Sequence, residues 1–379
     1  MDLTWQQVLG WRVGRHRLAD PAGEPVDVVA RLAGVQAQVA ASAAQVLAVR
    51  AADPAVDVER LLWQDRTLVK TWAMRGTLHL LPAAEWRTWV AVLRTREWRI
   101  TPGWVRYHGI TGHELDAVTE AIPEALAGEP LTRDVLASRV ADITGLAHLG
   151  EQLRSGWAAV FKPAASRGLL CQGPPQGTSI TFTDPTRWLA GVAGEEAGGT
   201  VDPDPDAAMA TILARFLDAH GPADRDDLAR WLGITPKTAR QILAAHGGAL
   251  AEVTVEGRAA WMTPDGAAAA AGAEPAEGVH LLPGFDPYVL APLSHRAHTI
   301  PEGRVEAVSR TAGWISPVLL VDGRVAGTWE PSASGDTTTF TITPFARIPR
   351  AVVTAARRHA EERYAPLLGT NVRVEITPG

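Results

Sequence analysis

The order in which helices and strands are predicted between residues 206 and 263 constrains the fold of this chain more than any other feature. Apolar residues at helical spacing, together with stop signals from Gly and Pro, predict three helices in this region. These helices are predicted over Asp206–Ala219, Arg225–Leu232 and Lys237–His246. The extended runs Ala249–Val255 and Arg258–Thr263 follow, separated by a Glu-Gly dipeptide that is typical of a tight turn. Three helices followed by a hairpin is the pattern of a winged-helix unit.

The ends of these predicted helices carry the expected capping residues. Asp224 is suited to cap the second helix, and Pro236 takes the first position of the third. In winged-helix units, the third helix and the hairpin are the usual contacts with nucleic acid. Because Lys237 and Arg240 lie on this third helix, we predict that both bind DNA.

The same order recurs, more loosely, nearer the N-terminus. One copy is predicted as helices Glu114–Leu126, Leu131–Ala141 (capped by Thr132) and Glu151–Ser166, with a hairpin over Leu169–Thr183. Another is predicted as helix Thr4–Arg17, further helices between Val26 and Trp63, and a strand pair over Thr67–Leu81 that bends at Arg75-Gly76. We therefore predict three winged-helix-like units in series.

The C-terminal third has a different pattern. Three β-rich runs, a Pro349–Tyr364 helix and a last strand over Val372–Ile376 predict a small antiparallel sheet. The β-rich runs are Val318–Val321, Val325–Trp329 and Thr337–Ile342. Asp322-Gly323 between the first two runs is a hairpin signal, whereas the Ala- and Gly-rich tract Ala267–Glu277 is interpreted as a surface loop.

These elements predict an α+β fold divided into five segments. The segments are a first unit over residues 1–110, a second over 111–190, a linker over 191–205, a third unit over 206–266 and an α+β segment over 267–379. The linker is assigned to Gly191–Pro205 because that stretch is rich in Gly, Ala and Asp.

The composition of the sequence indicates the cellular compartment in which the protein is expected. Cys171 is the only cysteine among 379 residues, so neither a disulfide within the chain nor a cysteine-based metal cluster can form. The N-terminus lacks the apolar core of a signal peptide. The longest Ala-rich run, Gly266–Ala273, is much shorter than the ~20 residues that a membrane span needs. A soluble, cytoplasmic protein with no membrane partner is expected.

The distribution of charge favours a nucleic-acid partner more than the net charge of −6 does. Nine basic residues but only three acidic ones lie between Arg60 and Arg106, whereas acidic residues concentrate between Glu195 and Asp227. Screening confines each field to ~8–10 Å, so a local basic face can bind phosphates on an acidic protein. The alternative is that these arginines form an ordinary solvated face.

Motifs for several common chemistries are missing from the sequence. There is no HExxH, no phosphate-binding P-loop, no convincing GxGxxG after a strand and no GxSxG nucleophile elbow. His295 and His298 are three residues apart, but no third metal ligand is adjacent. We therefore expect neither a metal nor a cofactor.

Two glutamines, Gln36 and Gln38, form the first candidate site. Residues two apart diverge on a helix but share a face of an extended or bent segment. If the backbone bends here, the two carboxamides could hold a water on one side and a phosphate or sugar on the other. The alternative is that they are two ordinary polar residues on an exposed loop or helix.

Two other segments are candidates for DNA contact. In the stretch from Thr71, Arg75 before a glycine allows close approach to a phosphate, and Thr77 and His79 alternate onto one strand face. The alternative here is a buried, satisfied imidazole at His79. The second segment, His280–Tyr288, is a tight loop that could stack on bases or present an acid, or simply fill core with its aromatic residues.

The sequence resembles one family, the bacterial winged-helix DNA glycosylases of the AlkZ-like type. The resemblance rests on the segments VQAQ from Val35, TWAMRGTLHLLP from Thr71, LLPGFDPYVL from Leu281 and VDGRVAGTW from Val321. It covers essentially the whole chain. The family includes an azinomycin self-resistance enzyme and housekeeping relatives.

The resemblance implies three winged-helix units in a C-shaped arrangement around a channel for duplex DNA. It also implies hydrolysis of the N-glycosidic bond of purines alkylated on a ring nitrogen, including interstrand crosslinks in the self-resistance branch. The family's catalytic Gln-aliphatic-Gln motif maps onto Gln36 and Gln38. Because the housekeeping branch carries Asp at the second position, Gln38 favours the self-resistance branch.

The chemistry is consistent with this motif. An alkylated purine is cationic and leaves without a general acid, so the enzyme must position a water and stabilise an oxocarbenium-like sugar. A neutral amide orients water but is a poor base, so undamaged bases should not react. We expect Gln38 to hold the water and Gln36 to orient it or to contact the DNA backbone, or the two roles to be exchanged. Arg75, Thr77, His79, Arg296 and His298 are predicted DNA contacts.

Two other functions are compatible with the sequence. A non-enzymatic winged-helix transcriptional regulator would read a DNA sequence, without need of a glutamine pair, and would dimerise on a palindrome. A sequestering protein would bind a genotoxic small molecule in an apolar pocket.

A glycosylase that acts in base excision repair on double-stranded DNA could work as a monomer, which is our expectation.

Overall fold

The computed structural model describes residues 1–96, 100–154, 159–191, 203–290 and 292–377, and these form a mixed α+β fold. The helices of the first half are Trp5–Arg15 (α1), Pro25–Arg31 (α2), Ala40–Ala48 (α3), Val58–Trp63 (α4), Trp86–Leu93 (α5), Pro102–His108 (α6), Gly112–Ala125 (α7), Arg133–Thr144 (α8), Leu149–Arg154 (α9), Lys162–Ser166 (α10) and Pro185–Trp188 (α11). Those of the second half are Pro205–His220 (α12), Arg225–Leu232 (α13), Pro236–His246 (α14), Pro264–Ala271 (α15), Pro287–Leu290 (α16), Arg296–Thr299 (α17), Val305–Val308 (α18), Arg350–Arg363 (α19) and Ala365–Leu368 (α20).

The strands are short except in the C-terminal sheet. They are Asp2–Leu3 (β1), Val35–Gln36 (β2), Leu68–Trp72 (β3), Leu78–Pro82 (β4), Leu131–Thr132 (β5), Cys171–Gln176 (β6), Ser179–Thr183 (β7), Ala251–Val255 (β8), Arg258–Met262 (β9), Val279–Leu282 (β10), Val318–Val321 (β11), Arg324–Ser334 (β12), Thr337–Pro344 (β13) and Asn371–Ile376 (β14). Within the described ranges, no helix combines the length and the apolar character that crossing a membrane requires.

The chain groups into two compact units, which differ from the predicted winged-helix segments and are called the first and the second unit from here on. The first comprises Met1–Asp57, Leu213–Trp231 and Thr235–Gly379, and the second comprises Val58–Ile212 with Leu232–Ile234. The first unit is therefore discontinuous in sequence. Most of the predicted linker, residues 192–202, lies outside the described residues.

The three helices predicted between residues 206 and 246 are confirmed, with ends that agree to within one residue. Their caps explain the agreement. The Asp224 carboxylate accepts hydrogen bonds from the backbone N–H groups of Asp226 and Asp227 at the start of α13, both at 2.9 Å. The Thr235 hydroxyl accepts from the Thr238 N–H at 3.1 Å at the start of α14.

The hairpin that follows these helices is also confirmed. Strands β8 and β9 pair in antiparallel fashion around Glu256 and Gly257, whose φ angles are +46° and +89°. Two successive positive φ angles match the twist that a two-residue hairpin turn requires. A third strand, β1, pairs parallel to β8, with Asp2 opposite Thr254. Strand β1 was not predicted from the sequence, because two residues are too few to show a strand pattern.

The C-terminal sheet has five strands in the order β10–β11–β12–β13–β14. The prediction of a purely antiparallel sheet is wrong, because β13 and β14 pair in parallel. Helices α19 and α20 connect these two strands and supply the crossover that parallel pairing needs. On this sheet, Trp329 stacks on Phe340 at 4.6 Å and its indole N–H donates to the Leu282 carbonyl at 2.9 Å.

The interpretation of Ala267–Glu277 as a surface loop is wrong for its first half, which belongs to α15. Alanine is the best helix former, and the Thr263 hydroxyl caps the helix by accepting from the Gly266 N–H at 3.1 Å. Ala267 and Ala270 are buried in a cluster with Trp5 and Trp11. The composition that suggested a loop therefore gives a helix with a small-residue face that packs closely.

In the second unit, α7, α8 and the β6–β7 hairpin match the predicted elements, and β5 adds a third strand beside β7. Thr132 holds the N-cap position of α8, but its side chain makes no capping hydrogen bond. The single predicted helix Glu151–Ser166 is wrong. In the described residues it is two short helices, α9 and α10, with a turn over residues 159–161. Pro163 would lie deep inside such a helix, where its missing N–H would cost a hydrogen bond, whereas it is tolerated in the first turn of the helix that begins at Lys162.

Candidate active site

The segment that carries the two glutamines is extended and not helical. Gln36 ends β2, residues 38 and 39 form a bend, and α3 begins at Ala40. The helical arrangement, in which residues two apart diverge, is thus excluded for this segment. Gln36 is 8% exposed, Ala37 is buried and Gln38 is exposed, so the motif runs from the interior to the surface.

The backbone before the motif turns sharply. Ala33 and Gly34 both have positive φ angles, +54° and +92°, and the Gly34 N–H donates to the Val29 carbonyl at 2.9 Å. These two residues end α2 in the way that left-handed residues commonly end helices. The turn converts the direction of α2 into the extended direction of β2, which fixes where Gln36 begins.

The loop His280–Tyr288 supports α3 and does not present a free acid. Asp286 forms a two-pronged ion pair with Arg50, just after α3, at 2.7 and 2.8 Å, and both side chains are fully buried. Gly284 of this loop lies close to α3, since a Cβ added to it would be 3.5 Å from the Ser42 hydroxyl oxygen. Tyr288 is buried and its hydroxyl donates to the Gly323 carbonyl at 2.9 Å. Of the two interpretations left open by the sequence, the structural turn fits this loop.

Arg75 lies at the tip of the β3–β4 hairpin in the second unit. Arg75 and Gly76 have positive φ angles of +56° and +68°, and the Thr77 hydroxyl donates to the Met74 carbonyl at 3.2 Å. Arg75 is half-buried. The backbone conformation of the turn therefore fixes where the Arg75 side chain begins.

His79 sits on the interior side of the same hairpin. It is 2% exposed, and its Nδ1 lies 2.9 Å from the Thr77 carbonyl oxygen. Burial, and then the charge of Arg75, lower the pKa of His79 to about 3. The imidazole is therefore neutral near pH 7, and the interpretation of His79 as a buried, satisfied side chain fits its surroundings.

The remaining predicted DNA contacts belong to the first unit. Lys237 and Arg240 are exposed on α14. His298 stacks on Trp5, with ring centroids 3.8 Å apart and planes 11° apart. Arg296 is half-buried at the start of α17, where burial, and then the charge of Arg230, lower its pKa.

Arg230 is a residue that the sequence analysis missed. The Ser294 hydroxyl donates to the buried Asp227 carboxylate at 2.6 Å, which fixes the segment before α17 onto α13. Arg230 lies one turn beyond Asp227 on α13, and its charge, after burial, is the second cause of the lowered pKa of Arg296. Ser294 and Asp227 are 67 residues apart, and no sequence signal joins them. Among the described residues, no group of three His, Cys, Asp or Glu side chains is placed to hold a metal ion.

Comparison with known proteins identifies the family. The sequence profile described as "DNA glycosylase AlkZ-like" matches residues 29–367. The chain is 40% identical over 367 residues to the "Interstrand DNA cross-link repair glycosylase" of Streptomyces sahachiroi, which covers 95% of each protein. The structure of the present chain is similar to that of the S. sahachiroi DNA glycosylase AlkZ, with a TM-score of 0.88 and 38% identity over the full length of both chains. The resemblance noted in the sequence is thus confirmed, and the chain belongs to the AlkZ-like family of DNA glycosylases.

Proposed function

We propose that this DNA glycosylase hydrolyses the N-glycosidic bond of cationic, alkylated purines in double-stranded DNA, and that Gln36 and Gln38 are its catalytic residues. The extended, surface-reaching segment Val35–Gln38 is the observation that carries the proposal. Family membership supports glycosylase chemistry and does not favour the alternative of a non-enzymatic regulator.

The reaction needs a positioned water more than a strong base. The water oxygen adds to C1′ of the deoxyribose while the bond from C1′ to the purine nitrogen breaks. The bonding pair neutralises the cationic ring, and the water's proton passes to solvent. The exposed Gln38 is suited to hold this water. Gln36, which is buried and lies two residues earlier, is suited to orient it. An amide suffices because the leaving group is already charged.

The catalytic assignment is tested with duplex DNA carrying a single N7-alkylated guanine. Base release is detected by alkaline strand cleavage under single-turnover conditions. Gln36→Ala and Gln38→Ala should each lower the rate by about 10²-fold, the order expected when a reactant is misplaced. Gln45→Ala, which changes a half-buried glutamine on α3, is the matched control and should keep the wild-type rate. Equal rates in all three variants would refute the assignment.

We propose, more specifically, that interstrand crosslinks made by a DNA-alkylating natural product are substrates, in a self-resistance role. The name of the S. sahachiroi relative supports this, as does glutamine at position 38. A duplex joined by a synthetic N7–N7 guanine crosslink should be converted to single strands on a denaturing gel. Release of N7-methylguanine without loss of the crosslink would restrict the substrate to monoadducts.

The DNA contacts and the organisation of the chain are part of the same proposal. We propose that Arg75, Thr77, Arg296, His298, Lys237 and Arg240 contact DNA, with His79 supporting the Arg75 turn. The helix and hairpin order over residues 1–110, 111–190 and 206–266 supports three tandem winged-helix units, with a C-terminal segment over 267–379. A monomer that acts on chromosomal DNA in the cytoplasm is the simplest form of this enzyme. Light scattering of the purified chain tests the monomer.

A further inference from the structure

An aromatic ring lies exposed beside several cations in the second unit. The Tyr107 side chain, on α6, is 80% exposed. Its ring meets the His108 ring edge-on at 4.9 Å, and His108 in turn lies 4.4 Å from Trp104, which packs on the core of this unit. The ring of Tyr107 thus contacts His108 and is otherwise largely open to solvent. A single exposed aromatic residue is ordinary, so its neighbours decide what it does.

The neighbours of Tyr107 are basic. Trp104 packs against the core cluster that contains Phe161 and Ala164, so α6 and the start of α10, where Lys162 lies, share this core. Burial, and then the charge of Lys162, lower the pKa of His108. Burial, and then the charge of Arg96, lower the pKa of Lys162. A basic run therefore extends from α6 through the start of α10, with Arg106 also on α6.

The same run reaches the Arg75 turn. A Cβ built on Gly76 would lie 3.3 Å from Nη2 of Arg96 and 3.7 Å from Cδ of Lys162, so both side chains lie against this glycine. Nη1 of Arg96 donates to the Ala73 carbonyl at 3.3 Å, which holds the guanidinium at the turn. Arg75, Arg96 and Lys162 are therefore gathered around Gly76, and the charge of Lys162 also acts on His108, whose ring contacts Tyr107.

We propose that these four residues, Tyr107, Lys162, Arg96 and Arg75, form a strand-binding surface, on which a DNA strand lays its phosphates along the cations and stacks an unpaired base on Tyr107. Cationic tracks with exposed aromatic rings are how proteins hold single strands, because every base has a face that can stack. Bases inside an intact duplex are already stacked, so the ring selects a base that has left the helix. This inference rests on the proposed function, since excision requires such a base.

Binding of a fluorescein-labelled single strand and of the matching undamaged duplex tests the surface. Tyr107→Ala should weaken single-strand binding by about 5- to 150-fold, the range for loss of one base–aromatic stack, and should weaken duplex binding less. Tyr107→Phe should bind as the wild type does. Ile180→Ala, which truncates another exposed apolar side chain of this unit, is the control. Equal affinities for wild type and Tyr107→Ala would overturn the stacking role.

Salt dependence tests the cations separately. Lys162→Gln should reduce the slope of log K against log salt for the single strand by about 0.7, the value for one lost phosphate contact. Arg60→Gln should leave the slope unchanged, because Arg60 already pairs with Asp65 at 3.1 Å. An unchanged slope in Lys162→Gln would overturn the phosphate contact. Thermal melting of each variant shows that the fold is kept.

The two hypotheses fail in distinguishable ways. If the wild type excises alkylated guanine but Tyr107→Ala and Lys162→Gln bind strands normally, the strand-binding surface is wrong and the proposed function stands. If strand binding depends on Tyr107 while the wild type releases no alkylated base, the surface stands and the proposed substrate is wrong.

Discussion

At the scale of single residues, the role proposed for Gln38 illustrates how a charged substrate would reduce what an enzyme must supply. A carboxamide neither gains nor loses a proton near neutral pH, so it orients water without activating it strongly. The exposed position of Gln38 beside the buried Gln36 suits contact with a ligand. The spacing of the pair was visible in the sequence, whereas the difference in burial was not.

A carboxylate at position 38 should change the pH profile while keeping the activity. Gln38→Asp places a true general base near the water, so N7-methylguanine should still be released, within about 10-fold of the wild-type rate. The rate should fall as the pH drops through the usual range of an Asp pKa, about 4. The wild-type rate should stay flat there. A flat profile for Gln38→Asp would contradict a water-holding role for this residue.

The buried pair of Arg50 and Asp286 should be a large contributor to the stability of the first unit. Asp286→Asn leaves Arg50 and the fully buried Arg12 without their carboxylate, since the charge of Asp286 acts on Arg12 as well. Removing one partner of a buried pair costs about 3–5 kcal/mol. Urea unfolding should show this loss, whereas breaking the exposed pair with Arg60→Gln should cost at most about 1 kcal/mol. Equal stabilities of the two variants would contradict the prediction.

At the scale of elements, local signals determined what could be predicted. The ends of α13 and α14 followed from Asp224, Thr235 and Pro236, because capping is a property of a few adjacent residues. The parallel pairing of β14 and the two-residue strand β1 depend on partners far along the chain. The same holds for the effect of the Arg230 charge on the pKa of Arg296, which only the folded chain creates.

The Arg75 turn offers a test of how an element presents a side chain. Gly76 has φ +68° and faces Arg96 at 3.3 Å, whereas Gly145, at the end of α8, has φ +69° and no atom within 4 Å of a built Cβ. Gly145→Ala therefore measures the backbone cost alone, about 1–2 kcal/mol. Gly76→Ala should cost the same in unfolding free energy plus the displacement of Arg96, and should weaken DNA binding as well. If the two variants bind DNA equally, the packing of Arg96 on Gly76 has no part in binding.

At the scale of the whole molecule, several histidines are held neutral by burial. The pKa of His280 is lowered to about 4, and those of His79 and His359 are lowered to about 3, chiefly by burial. The pKa values of His16 and His295 lie well below the ordinary value for the same first reason. These groups are distributed over both units, so acid should affect the entire protein.

The sign of that effect follows from proton binding. A histidine in the unfolded chain has a pKa of about 6.5, so below that pH the unfolded chain binds protons that the folded chain does not bind. The free energy of unfolding should therefore fall as the pH drops from about 6.5 towards 4, by about 1.4 kcal/mol per pH unit for each such histidine. Urea unfolding at a series of pH values measures this slope. A constant free energy between pH 6.5 and 5 would contradict the prediction.

The discontinuity of the first unit has a consequence for biosynthesis. Residues 1–57 emerge from the ribosome long before residues 235–379, with which they form one unit. At a translation rate of about 5–20 residues per second, roughly 10–35 seconds separate the end of the first stretch from the start of the last. During that interval the glutamine motif is already synthesised but lacks the Asp286 that pairs with the residue after its helix. A truncated nascent chain would thus carry the motif without this buried ion pair, and the proposed site would be completed only near the end of translation.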